Sequence, residues 1–131
     1  MKAGQKILVS TNYELLNKIL GKNFKGFFKG YYKISNDCYI WMISINGENK
    51  FGWVNKYSDD NTITEEYVDG LPYPDTIKVG LKYKKRLVFD KVKKPNGTMA
   101  YFVFRGLYEL TNEGSYTYRV LRKVSDETDL F

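Results

Sequence analysis

There is no histidine in this chain of 131 residues, and that absence removes more candidate functions than any residue present. Histidine is the side chain best placed for general acid–base work near neutral pH. Without it, neither a Ser-His-Asp nor a Cys-His nucleophilic arrangement can be built. Cysteine is almost absent as well. The single Cys38 excludes an internal disulfide, and one cysteine without histidine cannot supply the usual zinc ligand sets. It lies in the apolar run Cys38-Tyr39-Ile40-Trp41-Met42, where it reads as a buried structural thiol. No apolar run approaches the ~20 residues needed to cross a bilayer. Residues Met1 to Lys6 lack the apolar stretch of a secretory signal, so the reading is a cytoplasmic protein with no membrane partner.

Two further absences concern phosphate chemistry. No glycine-rich loop leads into Lys-Ser or Lys-Thr, which argues against nucleotide hydrolysis. A metal-dependent nuclease of the PD-(D/E)xK type needs an acid first and an acid-x-lysine on the next strand. Here Pro74-Asp75 comes after the one Glu-x-Lys, Glu48-Asn49-Lys50, so the order is wrong. The expectation is a protein that is not an enzyme, with no catalytic residues, no metal and no cofactor.

What the chain does have is aromatic residues, 17% of the total, with 12 Tyr and 8 Phe. Aromatic side chains favour strands, which tilts the fold toward β. They are densest in Phe24-Lys25-Gly26-Phe27-Phe28-Lys29-Gly30-Tyr31-Tyr32-Lys33. Read as a strand, this segment puts Lys25, Phe27, Lys29, Tyr31 and Lys33 on one face, because successive side chains alternate. Lysines hold phosphates and rings stack on bases, so the face has the chemistry of a nucleic-acid surface. A solvated sheet face, with lysine stems covering ring edges, has the same pattern.

Charge is blocked along the chain. Residues 1–56 and 77–124 carry net +6 and +9, residues 57–76 carry −6, and residues 125–131 carry −3, within a total of +6. Two basic blocks flanking an acidic one make a strongly positive face if the acidic block lies apart from them. Lys82-Tyr83-Lys84-Lys85-Arg86 is the densest basic run, and the last strand adds Arg119 and Lys123. The nucleic-acid contacts expected are therefore Lys25, Phe27, Lys29, Tyr31, Lys33, Lys82, Lys84, Lys85, Arg86, Arg119 and Lys123. Arg105 interrupts an apolar run, and reads either as a barrel-mouth residue or as the partner of a buried acid, Asp90 or Glu109.

Only one helix is expected. Thr11 and Glu14 form a capping box, Leu15, Leu16, Ile19 and Leu20 follow at helical spacing, and Gly21 stops the run. The rest reads as strands: residues 7–9, 24–34, 38–45, 51–54, 85–92, 99–110 and 116–124, with a brief strand at 62–64. Asn46-Gly47 is a hairpin signal joining 38–45 to 51–54, which places Trp41 near position 52 and so close to Trp53. Residues 57–75 look irregular, and the polar tail from 125 should fray. About seven strands and one N-terminal helix predict a single domain over residues 1–131, a small curled sheet or β-barrel.

Tryptophan near a strand end can stack on a flat ligand, and the polar residues that follow can read its edge. Trp53, Asn55, Tyr57 and Trp41 are accordingly the base-pocket candidates.

The segment Ala100-Tyr101-Phe102-Val103-Phe104-Arg105-Gly106-Leu107-Tyr108-Glu109, leading through Glu113-Gly114-Ser115 into Tyr118-Arg119-Val120, resembles the closing hairpin of small β-barrel modules. Such modules are attached to bacterial restriction and HNH-type nucleases and are similar to the PUA and SRA-like barrels. The resemblance implies DNA or RNA recognition, DNA favoured over RNA, with a modified base flipped into an aromatic-lined pocket. It also implies a protein partner such as a nuclease or helicase, in a prokaryotic or phage defence setting. A second reading from the residues is a protein–protein interaction factor, an inhibitor or adaptor, working through a tyrosine-rich basic surface.

Overall fold

The computed structural model describes residues 1–27, 29–45, 47–48, 52–68, 81–96, 99–115 and 117–129. Nine strands and one helix occur among them. In chain order they are β1 (Lys6–Ile7), α1 (Asn12–Leu20), β2 (Tyr31–Lys33), β3 (Cys38–Ile43), β4 (Gly47–Glu48), β5 (Trp53–Asp59), β6 (Thr62–Tyr67), β7 (Lys85–Lys93), β8 (Met99–Ser115) and β9 (Tyr118–Ser125). The sheet runs β2-β3-β7-β8-β9-β6-β5-β4, with β1 added beside β8. This is the curled, mainly β architecture the sequence predicts.

Alternation along the strands gives the sheet two faces, each with its own core. On the outer face Cys38, Ile40, Met42, Leu87, Phe89, Phe102 and Phe104 pack under Leu15 and Leu16 of α1. On the inner face Tyr39, Trp41, Ile43, Ile63, Tyr83, Val88, Tyr108 and Leu121 converge. All six residues of β3 are buried, as a strand covered on both sides requires.

The helix forms as its local signals dictate. Thr11 Oγ1 accepts from Glu14 N–H, and Gly21 closes the last turn at φ 65°.

A bulge in β8 sets which residues face inward. The register against β7 slips between Val88 and Phe89, opposite Gly106 and Phe104. The extra residue shifts the alternation, so Phe102 and Phe104 face the outer core while Tyr108 faces the inner one. Gly106 sits there at φ +115°, and a Cβ would lie 2.6 Å from the Ser125 carbonyl oxygen. Only glycine fits that position without strain.

Four sequence expectations are corrected. Residues 24–27 and 29–30 are not strand. Asn17 clamps Phe24, accepting its N–H at 2.7 Å and donating to its carbonyl at 2.9 Å. Asn12 donates to the Lys29 carbonyl, leaving Tyr31–Lys33 alone as strand. The three lysines therefore do not form one strand row.

The second correction concerns the hairpin. β3 pairs antiparallel with β2 and parallel with β7, not with the strand carrying Trp53; β5 pairs instead with β4 and β6. Asn46 itself lies outside the described residues, as do residues 69–80.

Third, much of the segment expected to be irregular is strand, since β5 runs to Asp59 and β6 to Tyr67. Fourth, the tail is tied down through residue 128. The Met1 ammonium donates to the Thr128 carbonyl at 2.9 Å, Thr128 N–H donates back to Met1, and Lys2 bridges Glu127. Residues 130–131 lie outside the described residues.

Candidate nucleic-acid interface

The site is built on the inner face, where five strands bring ring and charge together. On β5, alternation turns Trp53 and Asn55 inward, 5% and 1% exposed. On β6 it turns Ile63 and Glu65 inward. The β5–β6 register then sets Asn55 opposite Glu65 and Trp53 opposite Tyr67, and the β6–β9 register sets Glu65 opposite Arg119. Trp53 and Tyr67 meet edge to face at 5.2 Å.

Glu65 is the centre of the arrangement. Its Oε1 accepts from Arg119 Nη1 at 2.8 Å and from Arg86 Nη1 at 3.3 Å. Arg86 comes from β7, which β8 and β9 separate from β6 in the sheet order. The bond therefore crosses the hollow of the curl and ties its two arms together.

Each guanidinium is capped by rings. Arg86 lies 4.5 Å from the Trp41 ring centre and 5.2 Å from that of Tyr39, and Arg119 lies 4.5 Å from Trp53. Burial pulls the Arg86 guanidinium down, but Tyr39 and Glu65 outweigh it and leave its pKa above the ordinary value. Burial also pushes the Tyr39 hydroxyl well up, against the pull of Arg86, so it stays a neutral phenol.

One inward polar atom is left over. The Asn55 Oδ1 is buried and makes no hydrogen bond among the described residues. A buried amide oxygen without a partner costs roughly 1–3 kcal/mol. It lies on the inner face, opposite Glu65 and two residues along β5 from Trp53.

Farther along the same face, Tyr57, Arg105, Tyr108, Lys123, Asp60 and Gly4 line a hollow of about 360 Å³. Arg105 there holds Asp90 at 3.0 Å, settling the buried-acid alternative in favour of Asp90. Asp90 also accepts from Ile45 N–H at 3.1 Å. Among the described residues there is no cluster of acids and thiols able to hold a metal. None of their helices is long and apolar enough to cross a membrane.

The family profile of the SET and RING associated domain matches residues 1–130. The chain belongs to the SRA domain family. Among solved structures, this SRA domain is similar to the 5-hydroxymethylcytosine-specific restriction enzyme AbaSI, with 26% identity and a TM-score of 0.68. The match covers 94% of this chain and 40% of that one, so the SRA domain spans well under half of the enzyme's length. No curated protein sequence matches it. The family and the fold agree with the resemblance seen in residues 100–120.

Within the SRA domain, the four base-pocket candidates fall on the inner face. Trp41 and Trp53 reach it from two strands that are not paired with each other, and stand over the two arginines that share Glu65. Asn55 lies beside Trp53, and Tyr57 packs farther along the inner core.

The expected phosphate contacts divide. Lys29, Lys33 and Tyr31 are near the inner rim, with Lys33 opposite Tyr39 and Tyr31 opposite Trp41. Lys82 lies over the Tyr83 ring at 5.4 Å. Lys25 and Lys84 are exposed.

Five candidates are placed elsewhere. Phe27 packs with Phe24 and Tyr32 against the outer core, so its ring is not a surface for bases. Lys85 sits opposite Cys38 and pairs with Asp37 at 3.8 Å. Arg86 and Arg119, 0% and 3% exposed, are buried on Glu65 and are not surface phosphate contacts. Lys123 lines the 360 Å³ hollow and pairs with Asp126 at 3.1 Å.

Glu65 and Tyr67 were missed from sequence, although the alternation Ile63, Glu65, Tyr67 was there to be read. An acid at an inward position of a strand is a signal in its own right.

Proposed function

We propose that this SRA domain is a non-catalytic DNA-reading module of a restriction system, the chain acting as one binding domain for a modified cytosine. The observation that carries the reading is the row Trp53, Asn55, Glu65 on the inner face, with the Asn55 Oδ1 buried and open to a partner. A base inside a duplex presents only its edges, so a domain that reads a whole base must take it out of the stack. Trp53 and Trp41 supply the ring faces. Asn55 and Glu65 supply acceptors for the exocyclic amino group of cytosine. The two arginines hold the Glu65 carboxylate in place, which fixes the acceptor geometry before the base arrives.

The likeness to a 5-hydroxymethylcytosine-specific restriction enzyme supports a base modified at carbon 5. Since this chain corresponds to only part of that protein, cleavage would come from a nuclease partner or a fused nuclease domain. The test is fluorescence anisotropy on matched duplexes carrying cytosine, 5-methylcytosine or 5-hydroxymethylcytosine at one position, at two salt concentrations. A preference for a modified duplex at both salts is expected. Equal affinity for all three would overturn the reading.

A further inference from the structure

Three tyrosines from three separate segments form one ring cluster at the rim of the inner face, with Tyr39 and Tyr83 stacked and Tyr31 tilted against both. Tyr39 lies 5.1 Å from Tyr83, nearly parallel at 27°, and 5.3 Å from Tyr31. Tyr31 and Tyr83 complete the triangle at 6.5 Å. Lysines surround the cluster: Lys29 lies 5.8 Å from the Tyr31 ring centre, Lys82 lies 5.4 Å from that of Tyr83, and Lys33 stands opposite Tyr39. All three are exposed, and none pairs with a carboxylate among the described residues.

Like charges gathered on one spot repel, so the arrangement calls for an anion. Neighbouring lysines show the contrast, since Lys85 is taken by Asp37 and Lys123 by Asp126.

The segment bearing Lys29 is also fixed in advance. Asn12 donates to the Lys29 carbonyl at 3.0 Å, and Met42 N–H donates to the Gly30 carbonyl at 2.7 Å. A Cβ on Gly30 would lie 3.3 Å from the Met42 carbonyl oxygen, so the segment lies close against β3. Below the cluster, the Arg86 guanidinium lies 5.2 Å from the Tyr39 ring centre, which links the rim to the Glu65 site.

We infer that this rim is where the phosphate backbone of duplex DNA is gripped, with Lys29 and Lys82 contacting phosphates beside the extruded nucleotide. The inference rests on the modified-base reading above and adds the direction from which the strand arrives: over Tyr31 and Tyr83, toward Trp41 and Glu65. The lysines hold backbone and read no base, so their contribution is the same for modified and unmodified duplex.

The test is the Lys29→Gln/Lys82→Gln double variant, titrated across a salt series with a fluorescein-labelled duplex, modified and unmodified. Both side chains are exposed, so the fold should persist, and a thermal melt confirms it. The slope of log affinity against log salt should fall by about 1.8, two phosphate contacts at about 0.9 each. Affinity should drop by one common factor for both duplexes, leaving their ratio unchanged. A charge-matched control, Lys18→Gln/Lys22→Gln, changes the end of the helix that covers the outer face, and it should keep the wild-type slope. An unchanged slope in the first variant overturns the inference, as does an equal fall in the control or a loss confined to the modified duplex. If the wild type prefers the modified duplex while the Lys29/Lys82 slope stays put, the base reading stands and only this inference falls. A wild-type chain that binds no duplex overturns both.

Discussion

Asn55 and Glu65 stand opposite each other on β5 and β6, both turned into the hollow of the curled sheet, one with an open acceptor and one bound by two arginines. Sequence separation hides the pair, and the strand register creates it.

Replacing Glu65 by Gln takes away the carboxylate that Arg86 and Arg119 share. Removing one partner of a buried ion pair costs roughly 3–5 kcal/mol. Glu65→Gln is therefore expected to be the more damaging for stability when compared with Asn55→Leu, by urea unfolding. Equal stability of Glu65→Gln and wild type would show that the ion pair does not hold the arms of the sheet.

The proposed function gives Trp53 two roles, and two substitutions separate them. At 5% exposure, with Arg119 against its face, it anchors the inner core as well as offering a ring. Trp53→Ala should lose roughly 3–5 kcal/mol of stability. Trp53→Leu keeps an apolar side chain and removes the ring, so binding of modified duplex by the folded variant should weaken by about 1–3 kcal/mol, the value of a base–aromatic stack. Undiminished affinity in a folded Trp53→Leu would leave Trp53 as core alone.

Asp90 makes stability depend on pH. Burial raises its pKa, and the Ile45 N–H and Arg105, which pull the other way, do not cancel that. For a carboxyl group raised on folding, the native state binds the proton more tightly than the unfolded chain. Its contribution is present below the ordinary carboxylate range and is lost as pH rises through the folded pKa. Asp90→Asn keeps the acceptor for Ile45 and removes the titration. Its stability relative to wild type should improve as pH rises from the acid side through that range. A difference independent of pH contradicts the assignment.

Gly106→Ala should destabilise the domain by roughly 1–3 kcal/mol, since it combines a strained φ with a backbone clash. The clash is with the Ser125 carbonyl oxygen, at 2.6 Å from an added Cβ. Chemical unfolding measures it. A neutral result would mean that the β8 bulge is not the fixed point from which Tyr108 is turned inward.

Local signals were legible in the sequence and non-local ones were not. The helix follows from Thr11, Glu14 and Gly21, all within one short stretch, and its bounds come out as expected. Trp53 and Asn55 stand out in the sequence because a tryptophan near a strand end is followed by polar side chains able to read a base edge. Alternation makes the segment 24–33 read as a strand, but only Tyr31–Lys33 is one, because Asn12 and Asn17, on a helix earlier in the chain, bind the Lys29 and Phe24 backbone ahead of it. The parallel pairing of β3 with β7 joins segments more than forty residues apart, with Tyr39 opposite Arg86, and no turn signal announces such a pair. Arg86 and Arg119 read as surface cations from sequence because charge counts say nothing of the Glu65 that pairs with both.

The central claim is that the inner face reads a modified cytosine, and its most direct test is the affinity ratio between a duplex carrying 5-hydroxymethylcytosine and the same duplex carrying cytosine, in wild type and in Asn55→Leu. The wild type should favour the modified duplex by about tenfold or more, equivalent to ~1.4 kcal/mol. In Asn55→Leu, with the Oδ1 acceptor gone and side-chain volume roughly kept, affinity for the modified duplex should fall toward that for the unmodified one, which should barely change. A wild-type ratio of one, or a full preference surviving in a folded Asn55→Leu, would contradict the account.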